Sequence, residues 1–450
     1  MQRLENEQSF DSESGKRLIS RSLPGAIVEI SLLNTARTSQ IAAGIAGSVR
    51  AQRFDSIDQV RGAIMILMAL DHTRWFFTDI SGFQPETMAS TDLWLFLTRW
   101  VTHYCAPGFF LLAGIGIFLF SSKGRDAKQV STYLLSRGLL LVVLELTIVG
   151  YSWIFTPGYS FGGVIWSLGC SFMVMALLVR LRRSLLLIGS AAFLLLHNFF
   201  LDGVAAPAAG WPLTFWRALY QPGGAPLPGI TGSYFFLFPI IPWLAMMVFG
   251  FCIGDYYRRS RTERRRVFTW LGATMIVAFV VLRLTGLYGN PDSLWISPET
   301  SGQFAVQQEF TMTLVSFLNT EKYPPSLQFT LMTLGPILLW LALSRIDKKE
   351  YKASWFRQML VLFGRVPLFY YLCHLYLIHL LALLVTSLAG QPNDWIAFGA
   401  DAAATRPQGY GFGLPMIYAM WVISIAALYG ICRQYAMYKQ SHSQAWLKYL

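Results

Sequence analysis

Asp71 and His72 stand side by side inside an apolar stretch, and they are the residues of this chain best suited to chemistry. Histidine changes charge near neutrality, so it suits the removal of a proton from a hydroxyl or amine nucleophile. Arg61 lies eleven residues before His72. At 100° per residue that step returns to nearly the same azimuth, so both side chains share one helix face, about 16 Å apart along the axis. Met65 and Met68 fall between them. Ionisable groups are costly in a bilayer and usually face a bundle interior or a water-filled cavity. The stripe therefore reads as a buried track with a cation at one end and a general base near the other. The plainer alternatives are that Arg61 snorkels to the headgroups and that His72 hydrogen-bonds a neighbouring helix.

Six histidines are present in all. His442 sits in the C-terminal tail, and His197, near the end of an apolar stretch, reads as a satisfied polar residue. His374 and His379 are five residues apart, about 140° round a helix, so they cannot both line one site from it. His103 falls in the second apolar stretch at a depth similar to His72. His72 is expected to be the base, with Asp71 or another carboxylate fixing its tautomer. Adjacent residues diverge by about 100°, so Asp71 can instead pair with Arg74 or Arg99. His103 is then a second base or a polar support.

The elements that must hold these groups are membrane helices. The 450-residue chain is 54% hydrophobic and only 13% charged, where a soluble domain is nearer a quarter charged. The expected fold is all-α, a polytopic transmembrane bundle of about ten spans with both termini cytoplasmic. The spans are placed at about 60–79, 95–121, 131–153, 162–181, 184–201, 233–256, 267–287, 326–345, 366–389 and 414–434. Basic segments follow spans two, four, six, eight and ten (Lys123–Lys128, Arg180–Arg183, Arg258–Arg266, Arg345–Lys352 and Arg433–Lys439), and all fall on one side. The positive-inside rule makes that side cytoplasmic. The net charge of +12 belongs to these loops, and no nucleic-acid partner is expected.

Residues 1–50 read as a poorly ordered cytoplasmic tail, 51–436 as the membrane domain, and 437–450 as a cytoplasmic C-terminal tail. The long, aromatic outer loops suggest a lid or acceptor site, including a possible amphipathic helix near 304–318; ordinary interface anchoring by Trp and Tyr competes with that reading. Pro239 and Pro242 are expected to kink span six, and Gly114 and Gly116 to be close-packing positions. Five cysteines without CxxC spacing read as free thiols, with neither disulfide nor metal.

Several motifs resemble one family: Ser56-Ile57-Asp58-Gln59-Val60-Arg61-Gly62, Ile66-Leu67-Met68-Ala69-Leu70-Asp71-His72, and Ala106-Pro107-Gly108-Phe109-Phe110-Leu111-Leu112-Ala113-Gly114. Phe238-Pro239-Ile240-Ile241-Pro242-Trp243, Lys322-Tyr323-Pro324-Pro325-Ser326-Leu327 and Gly364-Arg365-Val366-Pro367 through His374 continue the series in order. Together they resemble the bacterial relatives of heparan-α-glucosaminide N-acetyltransferase, among the membrane-embedded acyltransferases. The resemblance implies transfer of an acyl group from cytosolic acyl-CoA, with acetyl-CoA as co-substrate and no bound cofactor. The acceptor it implies is polar, a glycan for example, on the far side of a multi-pass cell inner (plasma) membrane. The lysosomal member carries its catalytic histidine in the loop after the first span. The loop Thr73–Trp94 of this chain has none, so either His72 or His103 takes that role or the chemistry differs. CoA brings phosphates, and arginine suits them. Arg61, Arg137 and Arg365 are the candidate CoA contacts, and His374 is grouped with them as a substrate or CoA contact. A secondary transporter of a polar small molecule is the alternative; the absence of matching halves disfavours it. A non-catalytic structural subunit, with these groups sealed in pairwise contacts, is a third reading.

Overall fold

A computed structural model describes residues 54–79, 86–88, 91–156, 161–201, 204–227, 233–291, 302–347, 353–398 and 407–448. The expected N-terminal tail lies outside the described residues. The first half of the chain forms α1 (Asp55–Phe77), α2 (Leu93–Trp100), a 3-10 turn (Val101–Tyr104), α3 (Cys105–Ser121) and α4 (Ala127–Leu144). A π-turn (Glu145–Val149) leads into α5 (Gly150–Ile154), then β1 (Phe161–Gly162), α6 (Val164–Leu178), α7 (Arg183–Leu201) and α8 (Gly210–Leu219). The second half holds β2 (Gly223–Pro226), β3 (Ser233–Phe236), α9 (Ile240–Ile253), α10 (Arg261–Thr285), α11 (Phe310–Leu318) and α12 (Leu327–Leu343). It closes with α13 (Trp355–Arg365), α14 (Pro367–Leu388), α15 (Asp394–Phe398) and α16 (Leu414–Ser441).

Each of the ten placed spans has a helix. Seven helical runs are long and apolar enough to cross a membrane; α6 and α12 are apolar but shorter. α1 carries the ionisable residues instead. Polarity is turned inward. Arg74, Arg99, His103 and His374 are buried, while Val277, Val281 and Leu284 on α10 and Val422 and Ile423 on α16 are exposed. That distribution suits a bundle whose outer solvent is hydrocarbon.

Three expectations are corrected. The fold is not purely α: a small sheet of order β1-β3-β2 forms, with β3 parallel to β1 and antiparallel to β2. It occupies the beginning of the sixth placed span, so the helix there starts only at Ile240. Pro239 is its N-cap and Pro242 lies in its first turn, where a missing N–H costs nothing, so neither kinks a helix. Gly116 faces open space, while a methyl on Gly114 would collide with the Met247 carbonyl. Of the stretch 304–318, Phe310–Leu318 is helical as α11, and the five cysteines are free.

The contact that positions the site is the crossing of α1 and α13. A methyl on Gly62 would strike the Leu360 carbonyl, and one on Gly364 would strike the Asp58 carbonyl. Only glycine lets the two backbones touch at both points. α13 is the segment that turns, at Val366 and Pro367, into α14. Pro367 has the fixed φ that suits a helix start.

Candidate active site

His72 leaves the last turns of α1 toward α14. Its Nδ1 lies 2.7 Å from His374 Nε2, and the two rings stack with centroids 4.9 Å apart. His374 Nδ1 in turn lies 2.6 Å from the Tyr371 carbonyl oxygen. A carbonyl can only accept, so His374 carries a proton on Nδ1. With both rings neutral, His374 Nε2 accepts from His72 Nδ1–H. The remaining lone pair of the dyad then sits on His72 Nε2. That nitrogen has no partner among the described residues, and His72 is only half-buried. Trp153 packs edge-on against the His72 ring at 5.0 Å, and Tyr371 does so at 6.4 Å. Trp153 follows the π-turn, whose Glu145 Oε1 accepts from Gly163 N at 3.0 Å and so caps the start of α6.

Asp71 points away from its neighbour. Its Oδ2 accepts from Arg99 Nη1 at 2.7 Å and its Oδ1 from Arg74 Nη2 at 3.1 Å. Asp92 fixes the approach of α2 by capping it, accepting from Trp94 N and Leu95 N. Arg99 Nε donates to Glu86 Oε1 at 2.8 Å, and His103 Nε2 donates to the same oxygen at 3.0 Å. Asn319 Nδ2 donates to the Glu86 backbone oxygen at 2.8 Å. Burial by itself would raise the Glu86 carboxyl. Arg99, the His103 hydrogen bond and Lys322 outweigh it and hold the carboxyl well below the usual carboxylate range. His103 is completely buried, and its Nδ1 is sealed without a partner.

The other candidate residues lie elsewhere. At the beginning of α1, Arg61 Nη1 donates to Asp58 Oδ1 and to the Gly364 oxygen, both at 3.0 Å. Arg365 pairs with Asp55 at 2.9 Å. These two arginines form one cluster across the α1–α13 crossing, with side chains 21% and 35% exposed. Arg137 is separate, on α4, where it donates to the Tyr133 hydroxyl at 3.4 Å and lies 5.7 Å over the Phe172 ring. The structure thus brings His72 to His374, Asp71 to His103 through Arg99 and Glu86, and Arg61 to Arg365.

Sequence reasoning missed three contributors. Glu86 is one of three acidic residues, with Asp79 and Asp92, in the loop after the first span, and nothing in the sequence singles it out. Lys322 is quoted above only as a motif letter. Arg283 lies at the end of an apolar span, the one sign that it turns inward. It donates to the oxygens of Phe317, Gly302, Ser316 and Asn319 at 2.6–3.1 Å and so ties down the loop bearing Asn319 and Lys322.

Two comparisons bear on what this arrangement is. No curated protein matches the chain. The family model for the heparan-alpha-glucosaminide N-acetyltransferase catalytic domain matches residues 53–287. The matched stretch is more than half of the chain and holds Arg61, Asp71, His72, Glu86, Arg99 and His103. With a histidine-bearing helix inside the matched stretch of a bundle of apolar helices, the chain belongs to the heparan-alpha-glucosaminide N-acetyltransferase catalytic family and is a membrane acetyltransferase.

Proposed function

We propose that this protein moves an acetyl group from cytosolic acetyl-CoA to a sugar acceptor on the extracytoplasmic side of the cell inner membrane, with His72 as general base. The observation that carries the reading is the pair His72 Nδ1–His374 Nε2 at 2.7 Å, anchored on the Tyr371 carbonyl. A base needs its lone pair aimed and its tautomer fixed, and this chain of contacts does both. His374 is thus a positioning residue rather than a CoA contact.

In the proposed step His72 Nε2 takes the proton of the acceptor hydroxyl or amine as its oxygen or nitrogen attacks the thioester carbonyl. The new C–O or C–N bond forms, the C–S bond breaks, and CoA leaves as thiolate. The His72 imidazolium then returns the proton to the sulfur. The positive charge that develops on His72 spreads to His374 through their shared hydrogen bond. Asp71 is committed to Arg99 and Arg74, so it holds α1 against α2 instead of acting on His72. His103, sealed and bound to Glu86, supports that carboxylate. Arg61 and Arg365 stand where CoA phosphates would arrive at the inner end, and their partial exposure leaves donors for them.

The test is purified protein in vesicles with labelled acetyl-CoA outside and an amino sugar inside. Label on the enclosed sugar together with free CoA outside supports the reading. Uptake of intact sugar without CoA release would support a transporter and end it.

A further inference from the structure

α14 carries a second histidine that the transfer step does not use. His379 lies five residues beyond His374 and is completely buried. Its Nδ1 is 2.8 Å from the Ser152 carbonyl oxygen, which can only accept, so that nitrogen carries a proton and is committed. Two rings stack on the imidazole, Phe155 at 4.0 Å and Phe76 at 4.6 Å between centroids. Sealed and engaged in this way, His379 is out of reach of an acceptor or of CoA. Its three partners have one thing in common: each adjoins Trp153. Ser152 precedes it, Phe155 follows it by two residues, and Phe76 stacks on its ring at 5.6 Å. Trp153 is the residue that packs edge-on against His72 at 5.0 Å.

Trp153 needs outside support because its own helix is weak. α5 has only five residues, follows the π-turn and stops at Phe155. Five residues make less than two turns, and a π-turn interrupts the regular hydrogen-bond ladder. Phe155 has a φ of 45°, a left-handed conformation that a bulky side chain holds only where its surroundings impose it. α14 supplies the surroundings. The His379 ring lies against Phe155, its N–H holds Ser152, and one turn earlier the Tyr376 hydroxyl donates to the Ile148 oxygen of the π-turn at 2.8 Å. We infer that His379 is a positioning residue for the transfer reaction: it keeps Trp153 against His72 and so limits the swing of that ring about its hydrogen bond to His374. This rests on the reaction proposed above, with His72 as its base. α14 then serves the base twice. His374 fixes its tautomer, and His379, about 140° further round the helix, fixes its wall.

The test uses the full chain in vesicles with labelled acetyl-CoA and enclosed glucosamine. His379→Ala should lower kcat roughly ten- to hundredfold, the scale on which a small misplacement acts, with the KM for acetyl-CoA unchanged. His379→Phe keeps a stacked ring and His379→Asn keeps an N–H donor, so each should recover part of the rate. The decisive comparison is with Trp153→Ala, which removes the wall outright and should itself lower kcat. Adding His379→Ala to that variant should cost less than about threefold more, because the two residues act through one contact. If His379→Ala does not fold, His379→Phe takes its place in the same comparison, and its smaller loss should vanish in the Trp153→Ala background. Unchanged kcat in the His379 variants or in Trp153→Ala, a raised KM for acetyl-CoA, or losses that multiply in full overturns this inference alone. A wild type that labels no sugar and releases no CoA, or a His72→Ala variant of full activity, overturns the transfer reading beneath it.

Discussion

The two ends of α1 are both polar, but they are built differently. At its beginning Arg365 pairs with Asp55, 35% and 36% exposed, while Arg61, 21% exposed, pairs with the buried Asp58. At its end Asp71, Arg74, Arg99, Glu86 and His103 form a chain of pairs, most of whose members are buried. Exposed pairs contribute about 0–1 kcal/mol, because water already solvates each partner. Removing one partner of a buried pair leaves an uncompensated charge and costs about 3–5 kcal/mol. The cluster at the beginning of α1 can therefore exchange a partner more cheaply, while the network at its end fixes helices in place. The first suits the phosphate binding proposed for it, and the second suits holding a neighbouring side chain still.

The largest expected effect separates the base from the network around it. His72→Ala should lower acetyl transfer by roughly 10²–10⁴-fold, the usual contribution of a positioned base, with little change in thermal stability. Glu86→Ala should act the other way round. It should destabilise the detergent-solubilised protein by about 3–5 kcal/mol, read as a lowered unfolding midpoint, because Arg99 and His103 lose their shared acceptor. His374→Ala leaves the His72 tautomer unfixed and should cost roughly ten- to hundredfold in kcat with the KM for acetyl-CoA unchanged, on the charged hydrogen-bond scale. A raised KM instead would return His374 to the CoA contacts.

Acid sharpens the comparison further. The folded state holds the Glu86 carboxyl below its unfolded value, so its stabilisation is complete above the ordinary glutamate range, about pH 4.3, and is lost as pH falls toward the lower folded value. The stability gap between the wild type and Glu86→Gln should narrow on acidification; a gap that widened would contradict the assignment. The smallest effect belongs to the beginning of α1. Arg365→Gln should change stability by less than about 1 kcal/mol while raising the KM for acetyl-CoA a few-fold.

Much of this was legible in the residues. The helices follow from runs of apolar residues, and the α1 stripe from an eleven-residue step that places Arg61 and His72 at opposite ends of one face. That Asp71 would turn to Arg74 or Arg99 was open from the 100° between neighbours, and both pairs form. The His72–His374 contact was not legible, because two histidines 302 residues apart carry no signal of each other. The sheet was hidden for a similar reason: two of its strands read Gly223-Gly224-Ala225-Pro226 and Phe161-Gly162, too short and too glycine-rich to show a period. Glu86 and Lys322 gain meaning only from burial, which neither residue announces in a loop.

The α1–α13 crossing has one more consequence. Counting ten residues forward from Gly62 reaches His72, and ten forward from Gly364 reaches His374. The two imidazoles are thus measured out from a single pivot. A larger side chain at either glycine would push the arms of that caliper apart and open the gap between its tips, far from the point of insertion. Gly62→Ala would then impair proton transfer without touching any residue that takes part in it.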